Sequence, residues 1–263
     1  VNSTKEHIGR VLDDLRENDI ENILALRGDL NPNVPPQTDY RYASDLIDDI
    51  QQYGGFDIAA ACYPEVHPEA ADLEEDLMHL KEKVDAGATH LISQLFFDNN
   101  DYYNFLYRVR QAGITVPIEA GIMPVTNRKQ IERMVSLCGA SLPKKFVRIM
   151  HRYGDDPAAM QDAGIAYAVE QIVDLISNGV QGIHLYTMNN PLQSGGCQPD
   201  SLLQPIKEVC GCSAFCITSQ PKKPSAMRSA VLYQNRSTHS GCPRHKQHNS
   251  RFCKAVSLVF AGE

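Results

Sequence analysis

Arg27, Gly28 and Asp29 follow directly on the apolar run Ile23-Leu-Ala-Leu26. A cation, a hinge and a carboxylate at the end of a buried strand can hold and polarise a ligand. The strand is rigid and its C-terminal end opens onto loops. Gly28 lets the backbone approach a ligand closely. The same three residues also suit a strand, a turn and a surface Asp, so the chemical reading needs partners elsewhere.

Polar residues recur after later apolar runs: Tyr63 and Glu65, Gln94 and Asp98, Asn127, Asn189. Asp76, His79 and Lys83 stand at i, i+3 and i+7, which places them on one helix face. Without other information that face is a solvated one, and His67 is a loop histidine. Gln94 is polar inside an apolar run, and a buried amide needs hydrogen-bond partners. Tyr102, Tyr103 and Tyr107 read as core or surface aromatics without a chemical role.

The elements that position these residues alternate. Ile8, Val11, Leu12 and Leu15 predict a helix over 5–18, and a strand follows over Asn22–Asp29. The prolines of Asn31–Pro36 predict a loop. A helix over Tyr42–Tyr53 precedes a strand over Phe56–Cys62, and a helix over 69–86 precedes a strand over His90–Phe97. Tyr102–Ala112 is helical, Val116–Ile122 a strand and Arg128–Cys138 a helix. Helices over 141–152 and 155–178 lead to a strand over Val180–Thr187. Strand followed by helix, repeated with short connections, predicts a parallel sheet. No Gly-x-Gly-x-x-Gly opens a helix, which counts against a dinucleotide-binding Rossmann unit. A site supplied by several strand ends suits a β/α barrel, which takes ~250 residues and eight strands.

The segments resemble methylenetetrahydrofolate reductase. The matching motifs are Ala25-Leu-Arg-Gly-Asp29, Tyr42-Ala-Ser-Asp45, Tyr63-Pro-Glu-Val-His-Pro-Glu-Ala70, Lys83-Val-Asp-Ala-Gly87, Gln94 with Phe96-Phe-Asp98, Gly121-Ile-Met-Pro124 and Leu185-Tyr-Thr-Met-Asn189. The likeness runs from about residue 5 to residue 190. It implies an incomplete TIM-type barrel, about five of eight βα units, with the remaining units upstream of Val1. It also implies non-covalent FAD, NADH or NADPH as reductant, and reduction of 5,10-methylenetetrahydrofolate to 5-methyltetrahydrofolate.

By the same resemblance, Asp29 is the carboxylate beside flavin and folate, the catalytic assignment. Arg27, Gly28, Asp29, Ala43, Tyr63, His67, Ala70, Asp76 and Lys83 contact FAD, and Asp29, Gln94 and Gln130 contact the folate. No metal is implied. A homo-oligomer in the cytoplasm is expected. The chain departs from the family at His79 and Glu82, where many members carry Asn and Arg, and at Asn190, where some carry Arg. The family's general acid, a Glu on the first barrel strand, would precede Val1. The competing readings are a catalytically incompetent FAD-binding remnant or subunit-pairing fragment, and an unrelated barrel lyase with Asp29 or Glu65 as base and no flavin.

Composition bounds the rest. The chain of 263 residues carries a net −7, which gives no reason to expect nucleic acid or an anionic membrane as partner. No apolar run approaches the ~18–20 residues of a spanning helix. The start has neither an initiator Met nor a signal-peptide core, and reads as part of a longer protein. Residues 191–263 hold nine of the 25 Lys and Arg, three of the 32 Asp and Glu, and six of the eight Cys. That shift predicts a boundary near Pro191 between a partial barrel, 1–190, and a basic Ser/Pro/Cys-rich tail, 191–263, disordered or non-native and without sustained period. The groups Cys210–Cys216 and His239–His248 lack paired C-x2-C zinc spacing. A flavin reductase in a reducing compartment gives little reason for disulfides.

Overall fold

A computed structural model describes residues 3–28 and 39–186, and in the tail the strands 215–218, 230–234 and 254–258. The chain begins with α1 (Lys5–Glu17), whose N-terminus is capped by the Thr4 hydroxyl, accepting from the His7 N–H at 3.2 Å. Ile8, Leu12 and Leu15 form its buried stripe. Then follow β1 (Asn22–Ala25), α2 (Ala43–Tyr53), β2 (Asp57–Cys62), α3 (Leu73–Asp85), β3 (His90–Ser93), α4 (Asn99–Gln111), β4 (Ile118–Ile122), α5 (Arg128–Cys138), α6 (Lys144–Tyr153), α7 (Pro157–Ser177) and β5 (Gly182–Tyr186). Strands β1 to β5 lie side by side in chain order, all parallel. They form the half-barrel of an incomplete TIM-type fold.

Three short tail strands flank this sheet. β6 (Phe215–Thr218) pairs parallel with β5, and β8 (Lys254–Leu258) pairs parallel with β1. β7 (Ala230–Gln234) pairs antiparallel with β8. Apolar runs of four or five residues are too short to show a period, and the open edge of a parallel sheet is a template for such pairing. The Cys and His groups of the tail otherwise lie outside the described residues, as do the loop Asn31–Pro36, Asn189 and Asn190.

Alternation along the strands separates two apolar layers. Ile23, Ala25, Ile58, Ala60, Leu91, Ile118, Ala120, Ile183 and Leu185 pack beneath the helices with Ile47, Ile50, Leu80, Phe105 and Ile172. Leu24, Ala59 and Ile92 form the opposite face with Leu26. A separate cluster under α5, α6 and α7 contains Leu95, Phe97, Val125, Phe146 and Tyr167.

Some boundaries differ from expectation. The third helix starts at Leu73 because Asp72 caps it, accepting from Glu75 N–H at 2.9 Å. The fourth starts at Asn99 because Asp98 accepts from Asn100 N–H, also at 2.9 Å. Such caps satisfy first-turn donors that no helical carbonyl can reach. β3 stops at Ser93, so Gln94 stands just past the strand rather than within it. Beyond it, the Phe97 carbonyl accepts from the Tyr167 hydroxyl at 2.6 Å, and the Phe96 carbonyl from Gln171 Nε2 at 3.3 Å. Thus α7 ties down the strand end. Tyr102 is core, its hydroxyl donating to the Ile118 carbonyl at 3.2 Å.

Among the described residues no helix is long and apolar enough to cross a membrane. Nor do three or more His, Cys, Asp or Glu of the described residues meet as metal ligands.

Candidate functional site

The ends of β1 and β2 open into a cleft of about 440 Å³, walled by α3 and the N-terminus of α2. From β1 and its continuation come Ala25, Leu26, Arg27 and Gly28. Gly28 has φ +78°, the left-handed region where a side chain would be strained. From α2 come Tyr42, Ala43 and Ser44. Asp45 accepts from the Arg41 and Tyr42 N–H groups, both at 2.8 Å, and so shapes that helix start. The positive end of a helix dipole therefore faces the cleft.

The loop after β2 supplies Tyr63, His67, Glu69 and Ala70. It is tightly over-determined. Val66 has φ +73°, rare for a β-branched residue and worth roughly 1–3 kcal/mol of strain. The His67 N–H donates to Asp76 Oδ2 at 3.1 Å, and the Ala70 N–H to the His67 carbonyl at 2.9 Å. His67 Nδ1 accepts from the Glu69 N–H at 3.0 Å, which leaves the ring proton on Nε2. Burial holds the His67 pKa below its ordinary value, so the neutral ring is favoured. The Tyr63 and His67 rings meet edge to face at 4.5 Å.

Helix α3 completes the wall with Glu75, Asp76, His79, Glu82 and Lys83. Asp76 is only 8% exposed, and burial raises its pKa against the opposing pull of the His67 N–H and Lys83. Burial likewise lowers the Lys83 pKa, with Cys62 and Asp76 opposing. An ammonium has three donors. Among the described residues Lys83 Nζ has one hydrogen-bond acceptor, the Ala61 carbonyl at 3.0 Å. Arg27, by contrast, is engaged by Glu69 through Nη1–Oε2 at 2.7 Å and Nη2–Oε1 at 2.6 Å. Glu75 accepts from the Ala71 N–H at 2.5 Å. The cleft thus offers a poised buried cation, a second cation, a helix N-terminus and an aromatic face. That donor set fits a phosphate-bearing ligand with a flat ring.

Arg27, Gly28, Ala43, Tyr63, His67, Ala70, Asp76 and Lys83 all line this one cleft. Asp29 lies outside the described residues. Gln94 does not line it: its N–H donates to the Cys62 carbonyl at 2.7 Å and its Oε1 accepts from the Leu95 N–H at 2.9 Å. Gln130 is on α5, with its side chain outside the described set. Sequence reasoning misses Glu69 and gives Tyr42 no separate role. Both stand inside matched motifs, the one signal that points to them.

Glu65 lies beneath the same loop. Its Oε2 accepts from the Ser141 N–H at 2.8 Å, tying the loop to the segment after α5, while Oε1 is buried without a hydrogen-bond partner among the described residues. Burial holds its pKa above the usual carboxylate value, assisted by Asp101 and Asp98 and opposed by Ser141. A carboxyl raised on folding contributes stability at acid pH and loses it as pH rises through the folded value. Glu65→Gln, which keeps an acceptor for Ser141, is therefore expected to show a smaller fall in Tm between pH 4 and pH 7 than the parent. Thermal unfolding of both across that range checks this, and equal falls would contradict it.

Comparison with known proteins places the cleft in context. Residues 1–194 match the family model described as methylenetetrahydrofolate reductase. The chain is 38% identical over 190 residues to 5,10-methylenetetrahydrofolate reductase of Escherichia coli, covering 72% of this chain and 63% of that protein. It is 36% identical over 199 residues to methylenetetrahydrofolate reductase (NADH) 1 of Arabidopsis thaliana, covering 70% and 34%. A solved structure from Clostridium thermocellum, of a protein that binds two copies of 5-methyl-5,6,7,8-tetrahydrofolic acid, superposes with TM-score 0.50 at 15% identity. It covers 70% of this chain and 62% of that one, a likeness of fold.

Proposed function

Because this chain belongs to the methylenetetrahydrofolate reductase family, we propose that it carries the flavin half of a site reducing 5,10-methylenetetrahydrofolate to 5-methyltetrahydrofolate, with FAD held non-covalently in the cleft and NADH or NADPH as reductant. The observation that carries this reading is the convergence of eight separately placed residues on one cleft around the buried Lys83 ammonium, which has one acceptor among the described residues. Lys83 and Arg27 are the partners for the pyrophosphate, as a point charge and a fork. Gly28 and the start of α2 at Ala43 let backbone close on the ligand. Tyr63, braced by His67, presents a flat face for the ring system or ribose. Asp76 holds the His67 loop and balances Lys83. FAD, when bound, supplies the hydride acceptance and donation.

Asp29 is the carboxylate between flavin and folate, and Gln94 and Gln130 are the amides that contact the folate. The methyltetrahydrofolate bound by the Clostridium fold neighbour supports a folate ligand on this architecture. The name of the Arabidopsis relative supports NADH as one reductant to test. The reading includes a homo-oligomer in the cytoplasm, a compartment that would keep the buried Cys62 thiol reduced.

The test is anaerobic. The chain is loaded with FAD, NADH or NADPH is added, and the flavin absorbance is followed. Bleaching, reversed by methylenetetrahydrofolate with formation of methyltetrahydrofolate, is the expected result. An oxidised spectrum unchanged by either reductant would overturn the proposal for this chain.

A further inference from the structure

The two cations of the cleft differ in state. Among the described residues Lys83 Nζ has one acceptor for its three donors, whereas Arg27 has a carboxylate laid along its fork: both Nη atoms donate to Glu69, and Nε donates to the Gly28 carbonyl at 3.3 Å. This is the bidentate geometry in which Arg receives a phosphate or a carboxylate equally well. Glu69 lies on the cleft wall, yet its side chain is 54% exposed against 19% for Arg27. Only Pro68 separates it from His67, whose ring accepts from its N–H. The carboxylate can therefore turn out to water while its backbone stays in place, and water compensates an exposed carboxylate well.

We propose that Glu69 is a tethered anion that occupies Arg27 until a diphosphate-bearing ligand displaces it. The proposal rests on the flavin reading for the identity of that ligand, not for its anion chemistry. A small monoanion arriving at Arg27 must replace a bidentate partner already in place, and it reaches one cation. A diphosphate can engage Lys83 first and Arg27 second, and so is favoured. Glu69 thereby sets specificity for dinucleotides and lowers affinity for all anions.

The test titrates inorganic pyrophosphate calorimetrically into the protein at fixed ionic strength. Glu69→Gln keeps the shape and removes the charge. It is expected to bind pyrophosphate roughly 2- to 5-fold more tightly, the range for removing a partly exposed ion-pair competitor. Glu69→Asp, which keeps the charge, is expected to stay near the parent. In the Arg27→Met background the Gln substitution should give no gain, since a pairwise effect vanishes when its partner is absent. Circular dichroism confirms that each variant is folded. Equal or weaker binding by Glu69→Gln would overturn the proposal and make Glu69 an orienting residue for Arg27. A gain that persists without Arg27 would also overturn it, as a general charge effect. Parallel titration of FAD and riboflavin separates the two readings: a pyrophosphate gain with no flavin binding keeps the tethered anion and removes the flavin, and flavin binding without that gain does the reverse.

Discussion

Lys83→Met is expected to weaken FAD binding by roughly 30-fold or more, the loss typical of truncating one partner of a desolvated charge pair. It is also expected to leave the ligand-free fold at or above its parental Tm. The two signs come from one cause. The ammonium sits where burial already disfavours its charge, and among the described residues it has one acceptor, the Ala61 carbonyl. Methionine removes the desolvation penalty and keeps the apolar stem. Asp76 loses a neighbouring charge but keeps the His67 N–H, and its raised pKa lets it take up a proton.

The pH dependence follows with the same opposition. The folded Lys83 pKa is lowered, so between that value and the unfolded value near ~10.4 the unfolded chain binds more protons, and ligand-free stability rises with pH. FAD affinity is expected to fall over the same interval, because a lysine that pairs with phosphate must be protonated. Fluorescence titration of FAD and thermal unfolding, each from pH 7 to pH 10, measure the two slopes. A Lys83→Met protein that loses affinity and Tm together would show that Lys83 holds the fold rather than the phosphate.

Gly164→Ala is expected to destabilise the chain by about 2–4 kcal/mol, although alanine is the better helix former. A Cβ at Gly164 would stand 1.7 Å from the Val125 carbonyl oxygen and 2.7 Å from its carbon. These are backbone atoms and cannot rotate away, so α7 or the segment after β4 must shift. The alanine propensity gain of about 1 kcal/mol offsets part of an overpacking cost that exceeds the ordinary ~1–3 kcal/mol. Gly9 provides the control. It also lies within a helix, α1, and a Cβ there would meet nothing within 4 Å. Gly9→Ala is expected to stabilise by up to about 1 kcal/mol. Chemical denaturation of the two variants should give opposite signs, and a neutral Gly164→Ala would contradict the close approach of α7 to residue 125. Because α7 also holds the Phe96 and Phe97 carbonyls, loosening it should free the end of β3 beside Gln94.

Much of this architecture is legible from period and motif. The α1 stripe of Ile8, Leu12 and Leu15 is buried as its spacing requires, and α5 runs over Arg128–Cys138 as expected. The placement of Asp76 and Lys83 on one helix face anticipates that both reach the same cleft. What stays hidden depends on contacts far apart in the chain. Asp76 looks like a solvated helix residue until the His67 N–H, nine positions earlier, is seen to need an acceptor. The Arg27–Glu69 pair joins residues 42 apart, and nothing in either segment alone announces it. His184, 1% exposed and 3.7 Å from Glu119, is another pairing that alternation along β5 does not reveal. Helix starts are misplaced where an Asp serves as a cap, because a cap reads locally as one more polar residue.

FAD is proposed to bind in the cleft between the ends of β1 and β2 and helices α2 and α3. The most direct measurement is the visible absorption spectrum of the chain after incubation with FAD and removal of free cofactor. The expected result is a retained flavin spectrum approaching one FAD per chain, lost in Lys83→Met. A folded protein that emerges colourless from that treatment would contradict the account.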